Sequence, residues 1–514
     1  MTLPVIVWFK RDLRLADHEP LNQAICTGPI LPLYIVEPEY WTMNYTSGRQ
    51  WIFLKESLLD LDNALCSRGQ PLWVAVGRAE EVLEKLRQRF GISQIFSHEE
   101  TGSDWTFQRD RRIQSWCRAN GVAWSEVRQH GVIRGLQRRS GWAAQWTTLM
   151  SQPGTSIPEQ IHGVGEPDRF ACAALDSISL PSEVILSKQP GGRKQGLELL
   201  DSFLEIRVQT YRQGMSSPLT AERVCSRLST HLSLGTLSIR EVWQRTEQTR
   251  AEVKRVGKEA LFGRSLKSFA SRLHWHCHFI QKLESEPRME FHELHRGFIG
   301  LRDDESNSGL ERFERFEQGL CGWPFVDACL RCLAQTGWLN FRMRAMLVSI
   351  ASYHLWIDWR QTGALMARWF TDFEPGIHWS QIQMQSGTTG INANRMYSPI
   401  KQSEDQDPDG VFIKKWVPEL ELVPREWIHQ PWRMPFSLQE RVGCQVGLHY
   451  PKPIGDPSQL AREARAKLKQ WTTSNDLRIE AARVLKTHGS RLRQARPRYG
   501  KKEISLSQLV LDLK

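Results

Sequence analysis

The sequence predicts an α/β N-terminal domain built on a parallel, Rossmann-like sheet, followed by an all-α C-terminal domain. Three observations predict this. Short apolar runs alternate with helical periodicity over residues 1–130; Gly, Ser and Pro crowd residues 131–195; and from Gly196 onward the apolar spacing is helical with short breaks. Alternating strands and helices imply crossovers that cover both faces of a parallel sheet. A chain of 514 residues also exceeds what one hydrophobic core sustains, so two or three domains are expected.

The strand candidates are Val5–Phe9, Leu31–Val36, Leu72–Val76, Gln94–Ser97 and Val122–Val127. Helices fit between them: over residues 49–66, Trp51, Leu54, Leu58, Leu61 and Leu65 recur at steps of three and four. The start, MTLPVIVWFKRDLR, has an apolar run of a few residues followed by charge, which reads as a buried strand and not a signal peptide. No G-x-G-x-x-G follows the first strand, so the dinucleotide fingerprint is missing. Glu99 and Glu100 follow a strand; they either cap it or line a ligand pocket.

Residues 131–195 carry GVIRGLQRRSGW, SQPGTSIPEQ, SLPSE and SKQPGGRK with weak periodicity, the pattern of a long interdomain linker lying over the surface. The second domain, 196–460, opens with LELLDSFLEIRVQTYR. In CSRLSTHLSLGTLSIREVW, Ser226, Ser229, Thr230 and Ser233 crowd a helix start. Hydroxyls there cap free N–H groups, and the same N–H groups bind phosphate. In FASRLHWHCHF, His274 and His278 share a helical face as zinc ligands do, and Cys329 and Cys332 form a lone C-x-x-C. Neither has the further ligands a site needs, so no metal is expected.

The stretch Gly319–Trp359 is apolar yet carries Arg331, Arg342 and Arg344. Leu339, Met343, Met346, Leu347 and Ile350 recur at helical spacing, and Asn340 and Arg344, four apart, share one face. A cation on a largely buried helix needs a partner. Asp372, in the later FTDFEPGIHW, is the partner expected for Arg344. Asp372 and Glu374 together suit either a cofactor wall or acid/base catalysis.

Net charge is +11, compatible with a nucleic-acid partner but not specific to one. Residues 461–514 form a basic extension: Arg491, Arg493, Arg496, Arg498, Lys501 and Lys502 close its charged part. Ten scattered cysteines argue for reduced thiols in a cytoplasmic protein. No segment reaches the ~18 apolar residues of a spanning helix, so no membrane association is expected.

GWPFVDACLRCLAQTGWLNFRMRAMLVS and LWIDWR, with VWFKRDLRLADHEPL near the start and FIKKWVPELELVP near residue 420, resemble the photolyase/cryptochrome family. The motifs are separate and stand in the family's order. The resemblance implies that the helical domain binds FAD. Its contacts would be Tyr211 and the segment Ser226, Arg227, Leu228 and Ser229 at the pyrophosphate, Phe269 and His276 on the helix lying against the flavin, and Asn340, Arg342, Arg344, Asp372 and Glu374. The family has an Asp at the second acidic position; Glu374 lengthens the reach and keeps the acceptor. The α/β domain would hold a second, antenna chromophore of folate or deazaflavin type, and Lys10, Arg11, Asp12, Arg14 and Asp17 match the family's opening motif, which mostly stabilises that domain.

The implied activity is repair of UV lesions in DNA by electron transfer from light-excited, reduced FAD. The alternative is a cryptochrome photoreceptor that signals to a protein partner. The substrate pocket would be lined by Arg272, Trp275, Trp338, Phe341 and Met384. Here the chain departs from the family's pattern: Arg272 stands for a glutamate, Phe341 for an asparagine, and Ile382 and Met384 for a pair of tryptophans. Trp359 matches the middle of the family's tryptophan relay, Trp379 or Trp356 would serve as its flavin-proximal member, and an outer member is missing near Ser306.

Overall fold

The computed structural model of the protein describes residues 3–165, 188–302, 307–391, 395–474 and 477–488. Five strands, β1 (Val5–Phe9), β2 (Ile30–Val36), β3 (Trp73–Val76), β4 (Gln94–His98) and β5 (Ala123–Val127), form one sheet in the order β3-β2-β1-β4-β5. Every pairing is parallel, with Val5 opposite Ile30 and Ile6 opposite Ile95. All five residues of β1, VIVWF, are buried, as expected of a strand covered on both faces. Helices Gly48–Cys66 and Ala79–Phe90 cover opposite faces through separate apolar clusters. Strand order reverses at β1, which opens a crevice at the carboxyl ends of β1 and β4, where sheets of this topology place ligands.

Beyond the sheet every described element is helical. The largest core cluster gathers Pro324–Thr336, Phe341–Ser349, Trp359–Trp369 and Pro375–Ser386. The 27-residue helix Glu259–Ser285 packs beside Ile239–Arg255 and Pro375–Ser386. Two π-turns, Phe203–Arg207 and Ile350–His354, interrupt this helical framework; such turns are frequent near functional sites. Among the described residues no helix is long and apolar enough to cross a membrane.

The α/β part grips the helical part through backbone carbonyls. Arg49 donates to Leu333, Ala334 and Trp369, and Gln50 donates to Ala367 and Phe370.

Two readings of the sequence are corrected here. Residues 131–195 are not simply a surface linker. Trp142–Ser151 is a helix whose Trp142, Trp146 and Met150 are buried in the helical core. Its indoles flank His274, and Trp142 also packs on His278. The extension after residue 460 is not free at its start. Helix Pro457–Ser474 docks through Trp471, whose indole N–H donates to the carbonyl of Gly297, and helix Arg478–His488 docks through Arg483 paired with Glu286. The cations Arg491 to Lys502 and the position near Ser306 lie outside the described residues.

Candidate functional site

Helix Phe341–Ser349 begins after Asn340, and one turn in, Arg344 points back across its own start. Its Nε donates to the carbonyl of Leu339 at 2.6 Å, and its two Nη atoms donate to both oxygens of Asp372 at 3.0 and 2.9 Å. The guanidinium also lies 4.0 Å from the centre of the Phe370 ring. This bidentate geometry is the strong form of an ion pair. Gly337, at φ +72°, allows the Asp372 segment to approach: the N–H of Thr371 donates to its carbonyl at 3.0 Å, and an added Cβ would strike the Thr371 hydroxyl. Burial alone would raise the Asp372 carboxyl, but Arg344 and the hydroxyl of Ser229 outweigh it and hold it below the usual carboxylate range.

Cations exceed anions around this clasp. Arg227 sits in the left-handed region, φ +62°, with its guanidinium 4.1 Å from the Trp338 ring. Burial lowers its pKa, and its Nε has no hydrogen-bond partner. Its acidic neighbour, Glu222, is largely exposed, so the ion pair compensates little of the burial. Arg207 holds the preceding loop by donating to the carbonyls of Cys225 and Ser226. Burial pushes the Cys225 thiol up to about 11, and the charges of Arg227, Arg207, Arg272 and Arg344 offset part of that rise.

Leu228 is buried, and after it Thr230 keeps an unpartnered hydroxyl. Asn340 donates through Nδ2 to the carbonyls of Met215 and Ser216 at 3.1 and 2.6 Å, which leaves its buried Oδ1 without a donor. Tyr211 stacks edge-on against Phe203 and Phe269, and its hydroxyl, pushed up to about 12 by burial, bonds Arg272. Of the residues expected at a cofactor, then, Tyr211, Arg227, Leu228, Ser229, Phe269, Asn340, Arg344 and Asp372 come together through shared contacts, whereas Arg342 is exposed. Orphaned buried polar atoms beside surplus cations fit a ligand that is both polar and anionic, as FAD is through its pyrophosphate.

Glu374 does something the sequence did not disclose. It turns to the α/β part, where its Oε2 accepts from Arg11 at 2.7 Å. Its Oε1 is buried without a partner, and burial, only partly offset by Arg11, pushes the carboxyl up to about 7. With Arg11, His276 and residues following β1, β4 and β5, Glu374 lines a cavity of about 20 Å³ at the sheet's crevice. His276, lowered to about 4 by burial, has an orphaned Nδ1 there. A cavity this size admits roughly one water.

The rings of Trp359 and Trp379 meet edge to face with centroids 6.0 Å apart. Gly363 makes this possible, since a Cβ there would come within 2.5 Å of the Trp379 ring. Trp359 is anchored by its indole N–H to Glu293 at 3.1 Å. Trp356 is not part of this pair: at φ +54° it turns into a separate cluster, beneath Arg302 and Lys467. His378, which no motif singled out, stacks on Trp379 at 4.9 Å and bonds the carbonyl of Gly363. The sequence reads there as a glycine turn and a polar loop, so neither the helix Pro375–Ser386 that carries His378 nor its burial was legible.

Toward the surface, Arg272 lies 4.5 Å from the Trp275 ring and 5.8 Å from that of Phe341. Phe341 is 48% exposed and Arg342 is exposed beside it, while Met384 is half-buried and Ile382 belongs to the core.

A second cavity, about 90 Å³, opens at the ends of β1 and β2. Trp8, Tyr34, Tyr40, Trp41 and Trp105 wall it, and Glu37, Glu100 and Arg109 supply its charge. Arg109 pairs with both glutamates. Glu100 therefore lines both cavities, while Glu99 lines only the smaller polar one of the two. Nearby, Asp12 accepts from His18 at 2.9 Å and from His98 at 2.7 Å. The N–H of Leu21 donates to Nδ1 of His18, so the proton of that ring sits on Nε2, facing Asp12. The three form a hydrogen-bonded cluster, with donors where metal ligands would need lone pairs.

The family model described as the FAD binding domain of DNA photolyase matches residues 269–470, and the model described as DNA photolyase matches residues 5–138. A deoxyribodipyrimidine photo-lyase of Agrobacterium fabrum is 28% identical over 90% of this chain and 97% of its own. A cryptochrome DASH of Gloeobacter violaceus is also 28% identical, over 90% of this chain and 94% of its own. The crystal structure of a class III photolyase from Agrobacterium tumefaciens aligns with TM-score 0.79 at 25% identity, covering 92% of this chain and 98% of that one. An archaeal photolyase from Sulfolobus tokodaii, whose structure holds two FAD molecules, aligns with TM-score 0.72 at 25% identity, covering 91% of this chain and all of that one. Sheet, helical domain and both sequence models agree: the chain belongs to the DNA photolyase/cryptochrome family, with an α/β N-terminal domain and a helical FAD-binding domain.

Proposed function

We propose that this protein is a light-driven DNA photolyase that splits UV-induced pyrimidine dimers. The observation that carries the reading is the surplus of partly buried guanidinium groups around the Arg344–Asp372 clasp, with unpartnered buried atoms on Arg227, Thr230 and Asn340. Arg227, Ser226 and Ser229 would hold the pyrophosphate of FAD, and Tyr211, Phe269, Asn340, Arg344 and Asp372 the rest of the cofactor, while His276 faces the small cavity beside Glu374. Bound and reduced, FAD supplies an electron on excitation by blue light.

The remaining work belongs to the chain. Asp372, kept ionised by Arg344, offers a fixed acceptor. Trp338, Trp275 and Phe341 present apolar faces for extruded bases, which a distorted lesion gives up at lower cost. Arg272 and Arg342 bring positive charge to the mouth, where phosphate contacts position a strand without reading its sequence. Trp379 and Trp359, in ring contact, carry reducing equivalents inward. The aromatic cavity at the sheet edge suits a planar antenna chromophore, whether folate or deazaflavin.

A cryptochrome photoreceptor is the second reading. Arg272 and Phe341, standing where repair enzymes of the family carry a glutamate and an asparagine, favour it, and relatives bear both names. Illumination of the reduced protein with oligonucleotides containing cyclobutane or (6-4) lesions, single- and double-stranded, separates the two. The photolyase reading expects restoration of at least one lesion class. Restoration of none, with flavin bound, would leave the photoreceptor.

A further inference from the structure

We infer that Arg11 is a positioning residue for the flavin site, holding from the α/β domain the segment that carries Asp372. This rests on the reading of the cavity around Arg344 as the FAD site. Arg11 stands two residues after the end of β1. Its Nε donates to the carbonyl of Ser233 at 2.9 Å, and its Nη2 donates to the carbonyl of Phe373 at 3.3 Å and to Glu374 at 2.7 Å. Ser233 closes the short helix that starts at Ser229, and Phe373 and Glu374 are the two residues after Asp372. One guanidinium therefore ties down the far ends of both segments, whose near ends, Ser229 and Asp372, are close enough for the Ser229 hydroxyl to help lower the Asp372 carboxyl.

Arg11 itself is held rigidly. Gln129 donates to its carbonyl at 2.8 Å, and the N–H of Leu13 donates to the carbonyl of Leu234 at 3.1 Å. Gly235, at φ +63°, packs so closely that an added Cβ would strike this strand end. The side chains of Arg11 and Glu374 are 16% and 9% exposed, so neither charge is tolerated there without the other. Arg49 and Gln50 grip the same stretch further back, at the carbonyls of Trp369 and Phe370, and of these three residues of the α/β domain Arg11 alone grips it through a charge pair. That pair gives the role a signature distinct from simple domain cohesion.

The test is FAD titration of the flavin-stripped full-length chain by fluorescence, for wild type, Arg11→Lys, Arg11→Gln, Glu374→Gln and the double variant Arg11→Gln/Glu374→Gln. Typical couplings between sites span 5- to 150-fold, so Arg11→Gln is expected to weaken FAD binding about ten-fold. Arg11→Lys should recover part of this, and the double variant should bind no worse than the weaker single one. If Arg11→Gln does not fold, the isosteric Glu374→Gln decides, with the same direction of change expected. Unchanged FAD affinity in the folded variants, or losses that simply add in the double, would overturn the role of Arg11. A wild-type chain that takes up no FAD would instead overturn the reading of the site.

Discussion

The ion pair of Arg344 and Asp372 was legible from single residues, because an arginine on an apolar helix demands a carboxylate and FTDFE supplies one. The pair of Arg11 and Glu374 was not legible. Its members are 363 residues apart, and the two acids of FTDFE suggested a shared role, whereas the longer Glu374 side chain reaches away from its neighbour. Asp372→Ala tests the first pair. It strands a guanidinium that keeps 23% of its surface exposed, so the loss should be about 3 kcal/mol, the low end for breaking a buried pair. Purified Asp372→Ala should carry little or no flavin while keeping its far-UV circular dichroism. Stoichiometric FAD in that variant would remove Asp372 from the binding wall.

Among elements, strands were the most readable: each lies within one residue of its expected bounds at both ends, and the central ones, β1 and β2, are plain buried apolar runs. The helix Trp142–Ser151 was hidden by the Gly, Ser and Pro around it, although Trp142, Trp146 and Met150 stand four apart. Trp356 was misplaced for a different reason. A π-turn over Ile350–His354 and a left-handed backbone at Trp356 break the periodicity that would have put it beside Trp359. The contact that does form, Trp359 on Trp379, depends on two neighbouring helices and on Gly363 between them. Trp359→Phe should slow photoreduction of oxidised flavin at least several-fold, as ring contact with Trp379 is retained but the indole donor is lost. Gly363→Ala should do the same by forcing the Trp379 ring aside, at the ~1–3 kcal/mol typical of overpacking. Photoreduction at the wild-type rate in both variants, followed by absorbance under blue light, would exclude this pair from the relay.

At the scale of the whole molecule, burial fixes the response to pH. Among the described residues eight histidines are depressed, chiefly by burial: His98 to about 3, His231, His276, His354 and His378 to about 4, His278 to about 2, and His130 and His488 below their ordinary range as well. Each binds its proton more readily in the unfolded chain, so each withdraws stability as pH falls below about 6.5. Burial raises Glu284, Glu290 and Glu374 to about 7 and Asp327 to about 6, and these act in the opposite sense, their contribution being lost as pH rises through those values. The depressed histidines outnumber the four carboxyls raised to about 6 or 7, whereas Asp12, Asp17 and Asp372, held low by their partners, add acid lability only below about pH 4. The melting temperature should therefore rise from pH 5 to pH 7; a higher value at pH 5 would show that the raised carboxyls dominate. The most direct measurement of the central claim, that a cation-rich helical cavity holds a flavin, is the visible absorption spectrum of the purified full-length chain with FAD supplied. The account predicts a structured flavin band near one FAD per chain, retained through gel filtration. A colourless protein that releases all added FAD would contradict it.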